Sequence, residues 1–300
     1  MRRRYRSWVT GAGLVLAASL AVAEIERPVF LDKEGRALPI QQDKEILSFL
    51  ESAEVTASEE IPVGITDPIR LDLQWEDVRA RAVFHYVVDN APRVKRMANG
   101  RVRAYRRDHY TSQIAAYELG RMLQVHNIPP TASRHFNGLD GSAQLWIENA
   151  MTEEQRQMEG VEPPDWSLWN QLYADMRIFD NLVNNIDRNL GNMLIDSQGQ
   201  LWLIDHTRSF GKDKTIPNPE TITRCSHRLY NALQSLDEDQ VEKRMETMRL
   251  LAPGEIKAIF HRRTELLERI DDRIRLLGEE QVLFDYGDPE PGIEVDEDAG

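Results

Sequence analysis

Residues 165 to 205 constrain the fold more than any other stretch of this chain. Trp169, Leu172, Tyr173, Met176, Phe179, Leu182 and Val183 recur at i, i+3, i+4 and i+7, which predicts a helix with one buried face. Pro163-Pro164-Asp165 starts it, with Asp165 placed to be its N-cap. The apolar period stops at Asn184, and a polar run continues to Asn192. Met193–Asp196 and Leu201–Asp205 then read as a hairpin around Ser197-Gln198-Gly199-Gln200. The stretch must therefore fold as helix, loop and hairpin. A loop pinned at both ends by buried elements can hold a carboxylate to within a fraction of an ångström.

That loop carries Asp187, with Asn192 five residues on, and Asp205 ends the hairpin eighteen residues after Asp187. A carboxylate can accept a hydroxyl proton. An amide oxygen and a second carboxylate are the hard donors that magnesium takes, with phosphate and water completing its octahedron. Asp, Asn and Asp at this spacing are what phosphoryl transfer uses. Each residue alone is a common turn former or cap. The combination in this context makes Asp187 a candidate base and Asn192 and Asp205 candidate metal ligands.

The surrounding text divides the chain. Residues 24–60 are polar, interrupted by Pro28 and Pro39, and read as a lead-in with one short helix around Asp43–Leu50. Residues 61–150 favour strands at Ile69–Leu73 and Arg81–Val88. A helix follows from about His109 to Val125, with Ala115, Leu119, Met122 and Leu123 on one face, ended by Ile128-Pro129-Pro130. Thr131–Phe136 and Ser142–Ile147 form a strand pair around Asn137-Gly138-Leu139-Asp140-Gly141. Residues 151–284 begin with a charged connector, Met151 to Pro164. The long helix, the loop and hairpin, and two or three further helices broken at Pro253-Gly254 complete this half. Residues 285–300 carry seven acids and no base and read as a disordered acidic tail. The order predicts an α+β chain in two lobes, the first small and β-rich, the second mostly helical.

The formal charge of −13 argues against general affinity for nucleic acid, which needs Lys and Arg to neutralise phosphates. The single cysteine, Cys225, excludes an intrachain disulfide and a cysteine-built zinc site. The seven histidines show no zinc spacing, and there is no Gly-x-Ser-x-Gly or Gly-x-x-x-x-Gly-Lys run. Residues 1–23 read as a signal peptide: Arg2, Arg3, Arg4 and Arg6 precede an apolar stretch from Gly11 to Val22, and Ala21-Val22-Ala23 is a cleavage site. The expected product is exported, with no membrane span after cleavage, to a periplasm, a secretory-pathway lumen or the outside.

Asn185-x-Asp187-Arg188-x-x-x-Asn192 followed by Ile204-Asp205 resembles the core of the atypical kinases: the phosphoinositide kinases, the HipA-like toxin kinases and, most of all, the secretory-pathway casein kinase family. Members of the last also show the pattern of Ile114-Ala115-Ala116-Tyr117-Glu118-Leu119 before Pro129-Pro130. They share a stretch like Asp205-His206-Thr207-Arg208-Ser209-Phe210-Gly211. The resemblance spans about residues 60–280. It implies a two-lobed protein kinase-like fold, ATP as co-substrate with Mg²⁺ or Mn²⁺, and a hydroxyl-bearing protein or small-molecule acceptor. It further implies Asp187 as base, Asn192 and Asp205 on the metal, and Gln144, Leu145, Trp146, Ile147 and Glu148 as the hinge against adenine. Arg188 and Arg208 would be supporting residues.

Two positions depart from the resemblance. Kinases hold the α- and β-phosphates with a strand lysine paired to a helix glutamate. Here Phe84 is followed by His85, and Gln113 precedes Ile114. Replacing both partners of a buried ion pair can be nearly neutral for stability, whereas removing one costs about 3–5 kcal/mol. His85 and Gln113 could hydrogen-bond to each other while lining the phosphate pocket. A replacement cation could come from Arg93, Lys95, Arg96, Arg106 or Arg107, although charge runs are usually solvated. Ile61-Pro62-Val63-Gly64-Ile65-Thr66 is at most a minimal phosphate loop. Three readings stay open: an active exported phosphotransferase, a pseudokinase that binds nucleotide weakly or serves as a scaffold, and some other α+β domain in which the motifs are coincidental.

Overall fold

The computed structural model describes residues 28–62, 67–89, 93–96, 100, 102–105 and 108–288. The stretches read as signal peptide, as most of the minimal phosphate loop and as most of the acidic tail lie outside these residues, as do Arg106, Arg107 and the side chains of Arg93, Lys95 and Arg96.

The first half is built on a five-stranded antiparallel sheet. Its elements in chain order are α1 (Asp43–Ser52), β1 (Glu54–Glu60), β2 (Ile69–Trp75), β3 (Val78–His85), β4 (Val88–Asp89), β5 (Arg93–Arg96), β6 (Val102–Tyr105), β7 (Asp108–His109), α2 (Tyr110–Met122), β8 (Thr131–Phe136) and β9 (Leu139–Leu145). The sheet order is β1-β2-β3-β9-β8. β1 comes from the stretch read as a lead-in, and its mostly exposed residues carried no alternation to betray a strand. β8 and β9 join through Asn137 and Gly138 at φ of 50° and 79°, the left-handed pair that a two-residue hairpin needs. Ala80, Ala82 and Phe84 of β3 turn to a core shared with Phe49 and Leu50 of α1 and Leu71 and Leu73 of β2. The pleat then sends Val83 and His85 to the opposite face, where a cleft opens.

α2 departs from the expected one-sided pattern. Thr111 through Gly120 are all buried, because the helix lies between the sheet and the helical half. Its N-terminus is capped by the His109 ring, which accepts the amide of Thr111 (3.2 Å).

The second half contains β10 (Ala150–Thr152), α3 (Glu153–Glu159), α4 (Trp166–Val183), β11 (Met193–Asp196), β12 (Leu201–Leu203), β13 (Cys225–Ser226), α5 (His227–Ser235), α6 (Glu238–Thr247), α7 (Pro253–Leu277), α8 (Glu279–Val282) and β14 (Leu283–Phe284). The charged connector is not featureless: β10 pairs with β11, and Thr152 caps α3 by accepting from Gln155 N (3.1 Å). Asp165 caps α4 as expected, accepting from Leu168 N (3.1 Å). Pro253 begins α7 rather than interrupting a helix, which suits a residue that lacks an N–H at N1. α4 runs through the middle of the second core, where Ile178, Phe179, Leu182 and Val183 are fully enclosed. Burial of each such side chain contributes roughly 1.5–3 kcal/mol. No helix among the described residues is long and apolar enough to cross a membrane.

Candidate active site

The loop after α4 is shaped by its own polar side chains. Asn184 ends the helix in the left-handed conformation (φ 54°) and turns the chain. Asn185 donates to Asp180 Oδ1 (2.9 Å) and accepts the amide of Asp187 (3.0 Å). Asn189 donates to the Asp187 carbonyl (3.0 Å) and accepts the Gly191 amide (2.9 Å). Asn192 also donates its side-chain N–H to that carbonyl (3.0 Å). The amide nitrogen of Asn192 is thus spent within the loop, and its oxygen remains as an acceptor.

Arg188 holds the loop to the hairpin. Its guanidinium forks onto Asp180 through Nε (2.8 Å) and Nη2 (3.0 Å), and Nη1 donates to the carbonyls of Asn192 and Ile204 (2.8 Å to the latter). The His206 ring stands 3.0 Å from Nη2 and meets Phe179 edge-on. Burial holds the His206 pKa well below the ordinary histidine value, and the Arg188 charge adds to that. Asp180 carried no sequence signal of its own: it sits inside the helical period and its partner lies eight residues on.

Asp205 follows β12 in the left-handed conformation (φ 53°), which a short polar side chain tolerates. Its Oδ1 accepts from Thr207 Oγ1 (2.7 Å) and from Thr207 N (3.4 Å), a local turn that fixes the carboxylate. Phe210 also has positive φ (63°) and is held by donating its amide to Val183 O (2.6 Å) while its ring is fully buried. A Cβ on Gly211 beside it would lie 2.5 Å from the Asn184 side-chain nitrogen, which would have to shift. Arg262, buried on α7, donates to Leu182 O (2.6 Å), Gly211 O (3.0 Å) and Asp213 O, tying both ends of this region together.

Between the sheet and this region lies a cleft of about 590 Å³, within the usual range for small-molecule sites. Asp187, Asn192 and Asp205 all line it, as do His85, Gln144, Leu145, Trp146, Ile147 and Arg208. Val83, Leu194 and Ile204 supply apolar walls. Thr152, Glu154 and Gln155 contribute a further wall from the charged connector.

Two expected positions turn out differently. Glu148 is not on the cleft; its buried carboxylate is taken by Arg81, with which it forms a forked ion pair. Gln113 is also off the cleft, fully buried, with Oε1 accepting the His206 amide (3.0 Å). It does not bond to His85: His85 Nδ1 and Gln113 Nε2 are both buried without a partner among the described residues. Burial lowers the His85 pKa, opposed by attraction to Asp205 and Asp108, so the ring carries no fixed charge. Glu118, the single acid of that helix, is committed to Arg244 (2.8 and 2.9 Å).

Asp108 is the residue that sequence reasoning missed. It is buried at the foot of α2 and lines the cleft. It accepts from Arg208 Nε (2.8 Å) and Nη2 (3.3 Å) and from Thr207 Oγ1 (3.3 Å). Arg208 Nη1 meets Asp187 Oδ2 at 2.8 Å. Only the run Arg106-Arg107-Asp108 before the helix hinted at it.

No family model and no curated protein matches the chain in sequence. Its fold is nevertheless shared with solved structures. Hydra Fam20, determined with a sugar, superposes with a TM-score of 0.59 at 16% identity, covering 82% of this chain and 93% of the other. The Golgi casein kinase with manganese and ADP bound gives 0.56 at 14% identity, over 82% and 80%. Another structure of the Golgi casein kinase gives 0.55 at 14%, over the same shares. The sheet-bearing first half, the helical second half and these likenesses together give the chain an atypical kinase-like fold.

Proposed function

We propose that this chain is a phosphotransferase that moves the terminal phosphoryl group of ATP onto a hydroxyl of a protein or small-molecule acceptor. One observation carries the reading: Asp187, Asn192 and Asp205 face one cleft, each held by its own hydrogen bonds. Asp187 is the general base. It takes the acceptor's hydroxyl proton as the oxygen bonds to the γ-phosphorus and the bond to the ADP oxygen breaks. Leu145, Trp146 and Ile147 line the adenine side, with Val83 and Ile204 as apolar walls.

The donor set fits a hard divalent cation, Mg²⁺ or Mn²⁺. Asn192 offers its amide oxygen and Asp205 its carboxylate. Two protein donors suit an ion whose shell is completed by phosphate and water. When bound, it neutralises charge that develops on the phosphoryl oxygens. The manganese and ADP in the Golgi casein kinase support the same pairing here. Residues 1–23 direct export in this reading, and the mature protein starts after Ala23; N-terminal sequencing of exported material checks this.

Thermal unfolding of the protein with ATP and Mg²⁺ or Mn²⁺, beside Asp205→Ala, tests the site. Ligand at a hundred times its Kd adds about 2.7 kcal/mol, and the shift should vanish in the variant. Absence of any metal-dependent shift in the parent protein rejects the proposal.

A second reading, a pseudokinase, is favoured by His85 and Gln113, which give the phosphates neither a fixed charge nor an aligned partner. It predicts nucleotide binding without turnover, and turnover that disappears in Asp187→Ala excludes it.

A further inference from the structure

We infer that Arg208 is the cation that meets the nucleotide's phosphates, and that Asp108 is the residue that positions it. The inference rests on the phosphotransferase reading and specifies how that site recognises a nucleoside di- or triphosphate.

Asp108, Glu154, Asp187 and Asp205 line the cleft, and Arg208 is the one Arg or Lys among the described residues that do so. A triphosphate entering so acidic a cleft meets like charges, which a cation beside them offsets. His85 stands at the strand position where a lysine would serve, but a buried imidazole carries no permanent charge. Arg208 remains charged at any working pH, so a phosphate entering the cleft meets a permanent positive charge there.

Geometry gives the rest. Asp108 is buried and takes Nε and Nη2 of Arg208 on its two oxygens (2.8 and 3.3 Å). This fixes the plane of the guanidinium. Nη1 reaches Asp187 (2.8 Å) and so brings the cation beside the base. The Arg208 side chain keeps 15% of its surface exposed, and it borders the cleft rather than being sealed in the core. Thr207 Oγ1 touches both Asp108 and Asp205 (3.3 and 2.7 Å), placing this pair next to the proposed metal ligand. The backbone reinforces the junction: His109 N donates to Thr207 O (3.2 Å), joining the entrance of α2 to the segment that carries Arg208. The strand–helix ion pair of the kinases is thus relocated rather than lost. Its acid lies just before the helix instead of on it, and its base lies just after Asp205 instead of on β3.

The test is calorimetric binding of ATP, ADP and adenosine, each with Mg²⁺, to the parent protein and to Arg208→Lys, Arg208→Gln, Asp108→Asn and the Arg208→Gln/Asp108→Asn double variant. The expected result is a loss of tenfold or more in ATP affinity in Arg208→Gln, with adenosine unchanged. Arg208→Lys should recover part of the loss, and the double variant should bind ATP no worse than Arg208→Gln alone. Melting temperatures identify any variant that fails to fold, and Arg208→Lys, which keeps the charge, then carries the comparison. Equal losses for ATP and adenosine, or none, overturn the inference while leaving the phosphotransferase reading intact. A parent protein that binds none of the three overturns both.

Discussion

The carboxylate of Asp180, inside a buried helix, and the guanidinium of Arg188, in the loop that follows it, form a two-pronged ion pair with both side chains 9% exposed. The loop bearing Asp187 is thereby fastened to its own helix, and the remaining guanidinium nitrogen fastens it to the hairpin. Removal of one partner leaves a buried uncompensated charge, so Arg188→Met should cost about 3–5 kcal/mol. Urea unfolding measures this. A loss under 1 kcal/mol would mean that the pair contributes specificity without stability.

Asp187→Asn removes a proton acceptor and keeps the shape of the side chain. Turnover should fall by about 10²–10⁴, the usual contribution of a general base, with nucleotide affinity kept within a few-fold. Steady-state kinetics with a generic hydroxyl acceptor reads the first quantity and calorimetry the second. Undiminished turnover would remove Asp187 from the chemistry.

Thr207 touches no substrate in the proposed site, yet it orients Asp205. Thr207→Val deletes the hydroxyl and keeps the branched shape. Residues that orient a metal ligand typically change metal affinity by 10–100-fold, and a weakening of that size is expected in a Mn²⁺ titration of the nucleotide-dependent melting shift. An unchanged titration would show that Asp205 is held by the backbone turn alone.

Two buried histidines set a direction for acid sensitivity. Burial depresses the pKa of His85 and of His206, so the folded protein leaves them neutral where the unfolded chain, near 6.5, protonates them. The stability they permit is complete above about pH 6.5 and falls as pH drops below it. The limiting slope is about 1.4 kcal/mol per pH unit for each differing proton. His206→Gln should flatten that decline between pH 6.5 and 5.5 in denaturant midpoints, whereas a parallel decline would assign the acid sensitivity to other groups.

Gly141 lies on β9 beside the end of β3, with which β9 pairs. A Cβ there would come within 2.4 Å of His85 O and 2.5 Å of the Phe84 ring. Gly141→Ala should therefore push the two strands apart at the entrance to the cleft. The expected cost is about 1–3 kcal/mol, as for other overpacked positions, visible as a lower melting temperature. A neutral effect would mean that the strand pair can shift without loss.

What could be read from the text, and what could not, follows the range of the interactions. The α4 period, its Asp165 cap, the hairpin after Asn192 and the Asn137-Gly138 turn are local events written in adjacent residues, and the structure contains them. The Asp187, Asn192 and Asp205 spacing was legible for the same reason, and all three reach one cleft. Asp108 was not, because its partner is 100 residues away. β1 was hidden by exposed, charged residues, and α3 by a charged run that gives no apolar period. Glu148 and Gln113 were misassigned to the pocket because sequence cannot show which side of a strand end or helix faces a cleft. The competing partners, Arg81 and the His206 amide, come from elsewhere in the chain.

The parallel pairing of β13 with β14 sets an order of events during synthesis. Cys225 and Ser226 receive their strand partner only at Leu283 and Phe284. Tyr286 then donates its hydroxyl to Asp175 (2.6 Å), 111 residues earlier in the chain. The helical half cannot seal until residue 286 has emerged, so its core is the last part of the chain to close. A passenger fused after residue 288 would leave that closing step intact, whereas one inserted between α8 and β14 would arrest it.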